Sequence, residues 1–577
     1  HGEPMVRVDW RQKEIVAPSR LGLLLRLGEQ PADWTTGFQS CAAVERSDHD
    51  STWQPVWGER AEVRSRYRRL VVRLDRTDGP LKIEVRAYDE GVALRYILER
   101  AAGAESVQVD REQTEFRFAG DHDVWAASSA QGKYEKLPLS RLGYAAERPC
   151  VLETGDGTVI AIAEAGLVDF SRMRLQRSPE LPHTLVSALH GPVEAALPLR
   201  TPWRLIMAAD SPGEILEHND LMLDLNEPCQ IGDTSWIRPG KVIRDVTLST
   251  EGGKACVDFA VKYNLQFIEY DAGWYGSERD DHADARTVSR ENLDLPAVIA
   301  YAKRHGVGVI LYVNRRHLER QLDELLPLYK EWGVAGLKFG FVQHGSQEWT
   351  AWLHNAIAKA AEHHLMVDVH DEYRMTGWQR TYPNFMTAEG IGGDETRPPH
   401  DQVLANLFTR MIAAPADHTF CYYYKYVDET STHASQLAKS VCLFSPWQFL
   451  FWYDRPDHAS DEPELEFFRA LPTTWDETRV VLGEIGRFAV VARRHGDEWY
   501  VGCLNAGEDR TLKVPLDFLV PDMEYEASIY RDDETVATRT KVAIVRRSVD
   551  ASTTLEVSLH ARGGMALRIA PARSMGP

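Results

Sequence analysis

The first 226 residues alternate apolar and polar positions in short runs, the pattern of strands that bury one face. Gly, Asp and Pro separate the runs, and helical periodicity is scarce apart from one SPGEILEH segment. Four clear runs are YRRLVVRLD, LKIEVRAYD, GVALRYILE and TVIAIAEAGLVDF. This alternation predicts an N-terminal β-sandwich over residues 1–226.

The pattern changes near Pro228, where apolar strand-like runs begin to alternate with amphipathic helical segments. The predicted strands are TSWIR, LQFIEYDAGW, GVGVILYVN, AGLKFGFV, LMVDVHD, NFMTAEG, HTFCYYY and WQFLFW. The predicted helices between them include DLPAVIAYAKRH, RQLDELLPLYKEW and EWTAWLHNAIAKAAEHH. Eight such units predict a (β/α)8 TIM barrel over residues 227–475.

Strand patterning returns after residue 475, in RFAVVARRH, EWYVGCLN, YEASIYRD and GGMALRIAP. These runs predict a C-terminal β-sandwich over residues 476–577. The fold class is therefore a multidomain α/β protein, with a barrel between two β-sandwich domains.

Composition narrows the possible partners. A net charge of -20 without a basic block argues against nucleic acid and anionic membrane surfaces. No apolar run reaches the roughly 18–20 residues that span a bilayer. The seven cysteines form no CxxC pair, which argues against a zinc ribbon. A neutral substrate such as a sugar fits this composition.

The segment 367–395 concentrates the candidate chemistry. Its acidic residues are Asp371, Glu372, Glu389, Asp394 and Glu395. In a barrel, groups just beyond the carboxyl ends of the strands converge on one substrate. Several carboxylates also suit calcium, whereas the alternative is a solvated acidic loop.

Other strand ends supply further candidates for substrate binding: Asp271, Trp274, Lys338, His370 and Tyr382. Each also has a structural alternative, as a turn aspartate, a packed aromatic, an ion-paired lysine or a hydrogen-bonded strand-end histidine. Aromatic rings stack on sugar faces while acids bind hydroxyls. Aromatic residues predicted at the same rim include Trp236, Trp274, Trp378, Tyr382 and Tyr422. Glycoside hydrolysis needs two carboxyl groups.

Five motifs, in order, resemble glycoside hydrolase family 97: GDTSWIRPGK, DAGWYG, WGVAGLKFG, RTYPN and AEGIGGDE. The resemblance covers the three-part architecture. It implies an exo-acting, typically calcium-dependent α-glucosidase or α-galactosidase exported to the periplasm or secreted. It also implies an oligosaccharide or α-glycoside as partner, and a monomer or homodimer.

The resemblance assigns roles to single residues. Glu395 matches the general acid, and Glu389 matches a calcium-binding glutamate. Glu135, in GKYEKL of the N-terminal domain, matches a second calcium ligand. Asp371 lies where inverting members carry a glutamate that is both base and calcium ligand. The implied calcium set is Glu135, Asp371, Glu389 and Glu395.

Position 340 bears on the mechanism. Retaining members resemble GVKVDF there, with the aspartate as nucleophile, whereas this chain has GLKFGF with Gly340. An inverting enzyme needs only a base behind a water, with its carboxyls about 6.5–9.5 Å apart. The sequence therefore predicts an inverting α-glucosidase with Asp371 or Glu372 as base.

Two alternatives stay open. Arg315 and Arg316 stand where inverting members carry a glutamate, and guanidinium groups pair with carboxylates or sulfates. One alternative is therefore an α-galactosidase or another α-glycosidase, and the two arginines make a charged sugar a candidate substrate. A non-catalytic carbohydrate-binding barrel is the other, because barrel folds host many functions.

Overall fold

A computed structural model of the chain describes residues 2–100 and 104–572. The N-terminal part is antiparallel and contains a five-, a ten- and a four-stranded sheet. Two short helices, Pro212–Glu217 and Asp220–Asp224, follow its last strand. Its strands are Met5–Trp10, Lys13–Arg20, Leu23–Leu27, Gln30–Asp33, Ser40–Trp53, Val63–Arg76, Gly79–Ala87, Gly91–Leu98, Ser106–Glu112, Glu115–Arg117, Asp123–Ala126, Glu135–Pro138, Cys150–Glu153, Val159–Ala165, Met173–Arg177, Thr184–Leu189, Val193–Ala196, Leu199–Arg200 and Trp203–Ala209.

The central part is a nearly closed parallel barrel. Its strands are Gly240–Arg244, Phe267–Tyr270, Gly308–Asn314, Gly336–Gly340, Met366–Val369, Phe385–Ala388 and Trp447–Phe449. The first strand pairs with both the second and the last, so the sheet curls around one core. Its α-helices are Thr250–Tyr263, Leu295–Arg304, Arg315–Trp332, Gln347–Glu362, His400–Phe408, Tyr426–Thr430, His433–Cys442 and Leu465–Ala470. Side chains of Ser249, Asp294, Asn314, Ser346 and Thr432 cap five of these helices at their N-termini.

Two strand predictions in the barrel are wrong. TSWIR forms a turn, because Asp233 accepts a hydrogen bond from the Ser235 amide, and the first strand is GKVIR instead. HTFCYYY forms no strand. Thr419 adopts a left-handed φ of 51°, which breaks an extended ladder. The segment still fills the gap between the strands Phe385–Ala388 and Trp447–Phe449. The Asp417 amide donates a hydrogen bond to Ala388 O, and the Phe420 amide donates one to Phe449 O.

The C-terminal part is an antiparallel β-sandwich with its own apolar core. Gly502 faces the barrel helix His433–Cys442, and a Cβ there would lie 2.5 Å from the carbonyl oxygen of Ala438. The missing side chain therefore lets this domain pack directly on the barrel. Its strands are Glu477–Glu484, Phe488–His495, Glu498–Asn505, Arg510–Pro515, Tyr525–Asp532, Val542–Val549, Thr554–Leu559 and Gly564–Pro571.

Strand register places polar side chains together inside the barrel. Tyr312 pairs with Lys338, Lys338 with Asp368, and Asp368 with Thr387. Because partners in register on neighbouring strands point to the same face of a sheet, these four polar side chains share the inner face of the barrel near the carboxyl end. Because an unpaired buried charge is costly, the acidic and basic side chains of this region must lie close to one another.

Candidate active site

A buried histidine links two carboxylates at the barrel mouth. His370 Nδ1 lies 3.1 Å from Glu389 Oε2, and Nε2 lies 3.0 Å from Asp417 Oδ2. Burial lowers the pKa of His370, but the charges of Glu389 and Asp417 outweigh burial and raise it to about 10. The imidazole is therefore protonated and holds both carboxylates in place.

Asp371 and Glu389 converge just above this bridge. The Asp371 amide donates to Glu389 Oε2 at 2.7 Å, and Asp371 Oδ2 accepts from the Phe341 amide at 2.5 Å. Asp371 adopts a left-handed φ of 73°, which turns it toward the end of the fourth strand. Burial, together with the charges of Asp371 and Glu395, raises the pKa of Glu389 to about 8. Without a bound cation, the surroundings of Glu389 therefore favour its neutral form.

Lys338 neutralises a deeper set of acids. Its Nζ lies 3.4 Å from Asp417, 3.7 Å from Asp271 and 4.0 Å from Asp368, and 3.7 Å from the ring centre of Trp452. The side chain has no exposed surface. Lys338 therefore belongs to a buried ion network, and the prediction that it binds substrate stays a prediction. Asp271 is also buried, between Lys338 and Arg244.

Glu395 is an exposed residue of the short turn Asp394–Thr396. Beside it, the buried carboxylate of Asp394 pairs with Lys439 at 2.5 Å, and the Glu395 amide bonds Thr419 Oγ1. The charge of Glu395 acts on Glu389. Asp394 therefore anchors the turn, while the Glu395 side chain is exposed.

Two other predicted acids face the N-terminal domain. Glu372 Oε2 accepts hydrogen bonds from the amides of Ala130, at 2.6 Å, and Gln131, at 3.4 Å. Glu135 is exposed and accepts from the Tyr144 hydroxyl at 3.2 Å. Of the two candidate bases, the structure thus brings Asp371 to the mouth and uses Glu372 to hold a loop.

The predicted aromatic platform is dispersed. Trp274 is fully buried in the barrel wall, where its indole donates to the Tyr312 carbonyl oxygen. Tyr382 packs on Trp378 before the strand Phe385–Ala388 begins, at the opposite end of the barrel from the mouth. Trp236 likewise precedes the first strand and stacks on His364. The structure thus does not bring Trp274 and Tyr382 together, and their role in substrate binding stays a prediction.

Tyr422, the remaining predicted rim aromatic, is also buried, and its hydroxyl donates to Glu464 at 3.0 Å. Its amide donates to the buried carboxylate of Asp454 at 2.6 Å. Tyr422 therefore has a structural role in the segment that replaces the seventh strand.

The carboxylates at the barrel mouth include possible calcium ligands. Among residues 2–100 and 104–572, two groups bring possible ligand atoms within 4.8 Å of one another: Asp368, His370 and Asp417, and His370, Asp371 and Glu389. Calcium takes oxygen ligands, so Asp371 and Glu389 fit it, whereas a protonated His370 orients Glu389 without binding the metal. A divalent cation at the second group would favour the ionised form of Glu389, which burial disfavours. Glu135 belongs to neither group.

Sequence reasoning missed Tyr312 and Glu278. The Tyr312 hydroxyl donates to Glu278 Oε2 at 2.6 Å and accepts from Asn314 Nδ2 at 3.2 Å. A Cβ at Gly340 would collide with the Tyr312 ring. Tyr312 and Asn314 share strand parity, which signals an inward-facing pair, but nothing in the sequence shows that Glu278 reaches back to them.

Two buried arginines fix the strand that leads to Glu389. Arg410 donates to the carbonyl oxygens of Ala388, Glu389, Gly390 and Pro415. Arg374 donates to Gly390 O at 2.9 Å and to Ala130 O at 2.5 Å, so it ties the acidic loop to the N-terminal domain. Arg315 and Arg316 instead pair with Glu319 and Asp281.

Comparison with known proteins gives three family matches along the chain. Residues 1–228 match a family described as "Glycosyl-hydrolase 97 N-terminal", and residues 239–391 match "Glycoside hydrolase 97". Residues 474–570 match "Glycosyl-hydrolase 97 C-terminal, oligomerisation". Each part of the molecule thus matches a different domain description of one family.

Individual relatives agree with this result. A "Retaining alpha-galactosidase" of Bacteroides thetaiotaomicron is 28% identical, covering 90% of this chain and 87% of the relative. A "Probable retaining alpha-galactosidase" of Streptomyces bingchenggensis is 30% identical, covering 79% of this chain and 76% of the relative. A solved glycoside hydrolase family 97 enzyme of Pseudoalteromonas sp. strain K8, in complex with acarbose, has a TM-score of 0.91 and 26% identity, covering 99% of this chain and 97% of that one.

These relatives overturn the predicted mechanism. The prediction of an inverting α-glucosidase is wrong, because both relatives named above are retaining α-galactosidases by name. Gly340 shows only that this one position lacks a carboxylate, which is not enough to fix the stereochemistry of the reaction. None of the helices in the described ranges is long and apolar enough to cross a membrane.

Proposed function

The chain belongs to glycoside hydrolase family 97, and on that premise we propose that it is a retaining α-galactosidase that removes a terminal α-linked galactosyl unit. The observation that carries the proposal is the convergence of Asp371 and Glu389 over the His370 bridge, below the exposed Glu395. Carboxyl groups gathered at the carboxyl end of a barrel are what glycoside hydrolysis requires. The names of the two relatives support the sugar and the stereochemistry.

Glu395 is the proton donor in this proposal. In a retaining enzyme the donor protonates the leaving-group oxygen, and its carboxylate then takes a proton from the attacking water. The Asp394–Lys439 pair fixes the turn, so the Glu395 carboxyl returns to one position for both steps. Its exposure gives water access for the second step.

Asp371 and Glu389 would hold calcium beside the sugar. The bound ion would neutralise the crowded carboxylates and polarise a substrate hydroxyl. His370 orients Glu389 from below, and Arg410 fixes the strand from which Glu389 projects. The resemblance further implies that Glu135 and Glu395 contribute ligand atoms, which is part of the proposal.

The domain division also belongs to the proposal. The barrel comprises residues 227–475, between an N-terminal domain of residues 1–226 and a C-terminal domain of residues 476–577. The matched description of the last domain names oligomerisation, which supports a homodimer formed through it. Light scattering coupled to size exclusion chromatography would detect the dimer, and a monomer at micromolar concentration would contradict it.

The test compares p-nitrophenyl α-galactoside with p-nitrophenyl α-glucoside, using wild type and Glu395→Gln. We expect the galactoside to be the better substrate and Glu395→Gln to lower kcat by about 10²-fold or more. Azide should restore turnover of Glu395→Gln and yield the α-galactosyl azide, because azide attacks the covalent intermediate without needing a base.

Glu362→Gln is the matched control, since Glu362 is an exposed glutamate at the end of an outer helix. Its kcat should equal that of wild type. Preference for the glucoside, or full activity of Glu395→Gln, would contradict the proposal.

A further inference from the structure

A cavity of about 300 Å³ lies where the N-terminal domain meets the barrel. Its barrel side includes Pro383 and Phe444, which precede the strands Phe385–Ala388 and Trp447–Phe449. Glu389, in contrast, directly follows the strand Phe385–Ala388. The cavity therefore lies toward the amino-terminal end of the barrel strands, away from the mouth, and the proposed reaction does not use it.

The walls of this cavity are largely aromatic and aliphatic. Trp53 and Trp57 line it from the N-terminal domain, and the Trp57 indole donates a hydrogen bond to Pro383 O at 2.7 Å, which ties this wall to the barrel. The volume equals that of about ten water molecules, enough for one monosaccharide unit. Further apolar side chains complete the wall: Pro55, Val56, Met222, Leu223, Ile412 and Phe444.

Two neighbouring polar side chains on the barrel wall of the cavity have unused hydrogen-bonding groups. Gln379 is only 7% exposed, and its amide forms no hydrogen bond with any residue in the ranges 2–100 and 104–572. Arg380 stacks on Trp53, with its guanidinium carbon 4.0 Å from the ring centre. Its Nη1 donates to Asp224 O at 2.9 Å, whereas Nε and Nη2 donate to none of the described residues. Because a buried amide without a partner is costly, a ligand that bonds to it is favoured.

The charged groups around the cavity are already paired. The ion pairs are Arg60–Asp220 at 3.1 Å, Arg380–Asp224 at 3.3 Å and Glu59–Arg493 at 2.8 Å. An ionic ligand would therefore meet no surplus charge of the opposite sign. A neutral ligand with several hydroxyl groups suits these walls better than an anion or a cation.

We propose that this cavity is a second, non-catalytic binding site for a neutral monosaccharide unit. Tryptophan rings pack on the C–H face of a sugar, while amide and guanidinium groups bind its hydroxyls. A hydrocarbon would leave the Gln379 amide without a partner. Arg380 and Pro383 belong to the RTYPN motif, which has no role in the proposed reaction. Galactose as the particular sugar rests on the proposed function, whereas the site itself does not.

A natural thiol lies at the rim of the cavity. The cavity opens to solvent beside Val56, which is 40% exposed, and beside the exposed Cys229. Cys41 is a second exposed thiol, at the other end of the strand Ser40–Trp53 from Trp53 and outside the cavity lining. A bound sugar should therefore shield Cys229 from a thiol reagent and leave Cys41 reactive.

The experiment measures how fast iodoacetamide alkylates Cys229, by mass spectrometry of its peptide, as D-galactose is added to about 100 mM, which fills a site of millimolar Kd. Only the unoccupied fraction reacts, so sugar at about four times its Kd should slow alkylation of Cys229 about fivefold. The rate at Cys41 in the same sample should stay constant. An unchanged rate at Cys229, or equal slowing of both thiols, would overturn the proposal.

Two variants locate the effect in the cavity. Gln379→Leu removes the amide at similar volume, and Val56→Trp adds bulk at the rim. Both should abolish the protection of Cys229, whereas Gln30→Leu, on the exposed strand Gln30–Asp33, should keep it. The buried Cys442 should stay unreactive in every variant, which shows that the barrel is folded. Protection that persists in both cavity variants would overturn the proposal.

Other small molecules test the ligand class. Stronger protection of Cys229 by benzoate or by cyclohexanol than by galactose would overturn the assignment to a neutral sugar. An enzyme that cleaves α-galactosides but shows no sugar protection at Cys229 would refute the cavity site alone. Protection in a chain that cleaves no α-galactoside would support the cavity site and refute the proposed function, so the two failures are distinguishable.

Discussion

His370 Nδ1 lies 3.1 Å from Glu389 Oε2, and this contact fixes the orientation of the central carboxylate at the barrel mouth. His370→Gln removes the positive charge that Asp417 and Glu389 share. We predict a loss of calcium affinity of about 10- to 100-fold, as for other residues that orient metal ligands. Isothermal titration with calcium measures it, and His364→Gln, at the other end of the barrel, is the control. An unchanged affinity would contradict the assigned role of His370.

Calcium should stabilise the protein more at alkaline than at acidic pH. The folded-state pKa of Glu389 is about 8, above its unfolded value near 4.5. Without metal, the folded protein therefore loses stability as pH rises from about 4.5 through 8, because the buried carboxylate must ionise. We predict that calcium raises the melting temperature more at pH 9 than at pH 6.

Glu389→Gln should abolish both the calcium response and this pH dependence. Exhaustive chelation, with metal removal confirmed by elemental analysis, should also abolish turnover. Full activity after verified metal removal would refute the calcium site.

A buried ion network in the N-terminal domain should make stability sensitive to acid. Burial raises the pKa of Glu147, but Arg172 at 3.0 Å and Arg148 at 2.6 Å lower it to about 2. A depressed folded-state pKa contributes stability that is complete above about pH 4.5 and is lost as pH falls through 2. We predict that Glu147→Gln costs about 3 kcal/mol at pH 7 and less than half of that at pH 3. Urea unfolding at both pH values measures the difference, and an equal loss would contradict it.

Arg410 should be irreplaceable by lysine. Its guanidinium donates to four main-chain carbonyl groups around Glu389 and has no carboxylate among its hydrogen-bond partners. Lysine has a single nitrogen and leaves buried carbonyl groups unsatisfied, at about 1–3 kcal/mol each. We predict that Arg410→Lys unfolds at lower denaturant concentration and has a lower kcat. Exposed Arg320→Lys is the control, and wild-type stability of Arg410→Lys would refute the prediction.

Periodicity in the sequence was sufficient to predict the three-part fold, because strand and helix patterns are local. Six of the eight predicted barrel strands are confirmed. TSWIR and HTFCYYY failed because the Asp233 side chain and the left-handed Thr419 override an apolar strand pattern. Neither effect changes the spacing of apolar residues, so the hydrophobic pattern could not reveal it.

The acids at the mouth were predictable in part. Asp371 and Glu389 follow strand ends, so their convergence could be expected from the barrel geometry. The adjacent Glu372 turns to the N-terminal domain because a loop amide at Ala130 meets it there, a contact 242 residues away in sequence. Asp417 and Glu278 were missed for the same reason, since their partners His370 and Tyr312 come from distant strands.

The most direct test of the central claim is proton NMR of the sugar first released from p-nitrophenyl α-galactoside by the calcium-loaded enzyme, recorded before mutarotation. We predict α-galactose first, with the β-anomer appearing only later at the rate of mutarotation. β-Galactose first would show a single displacement and would contradict retention.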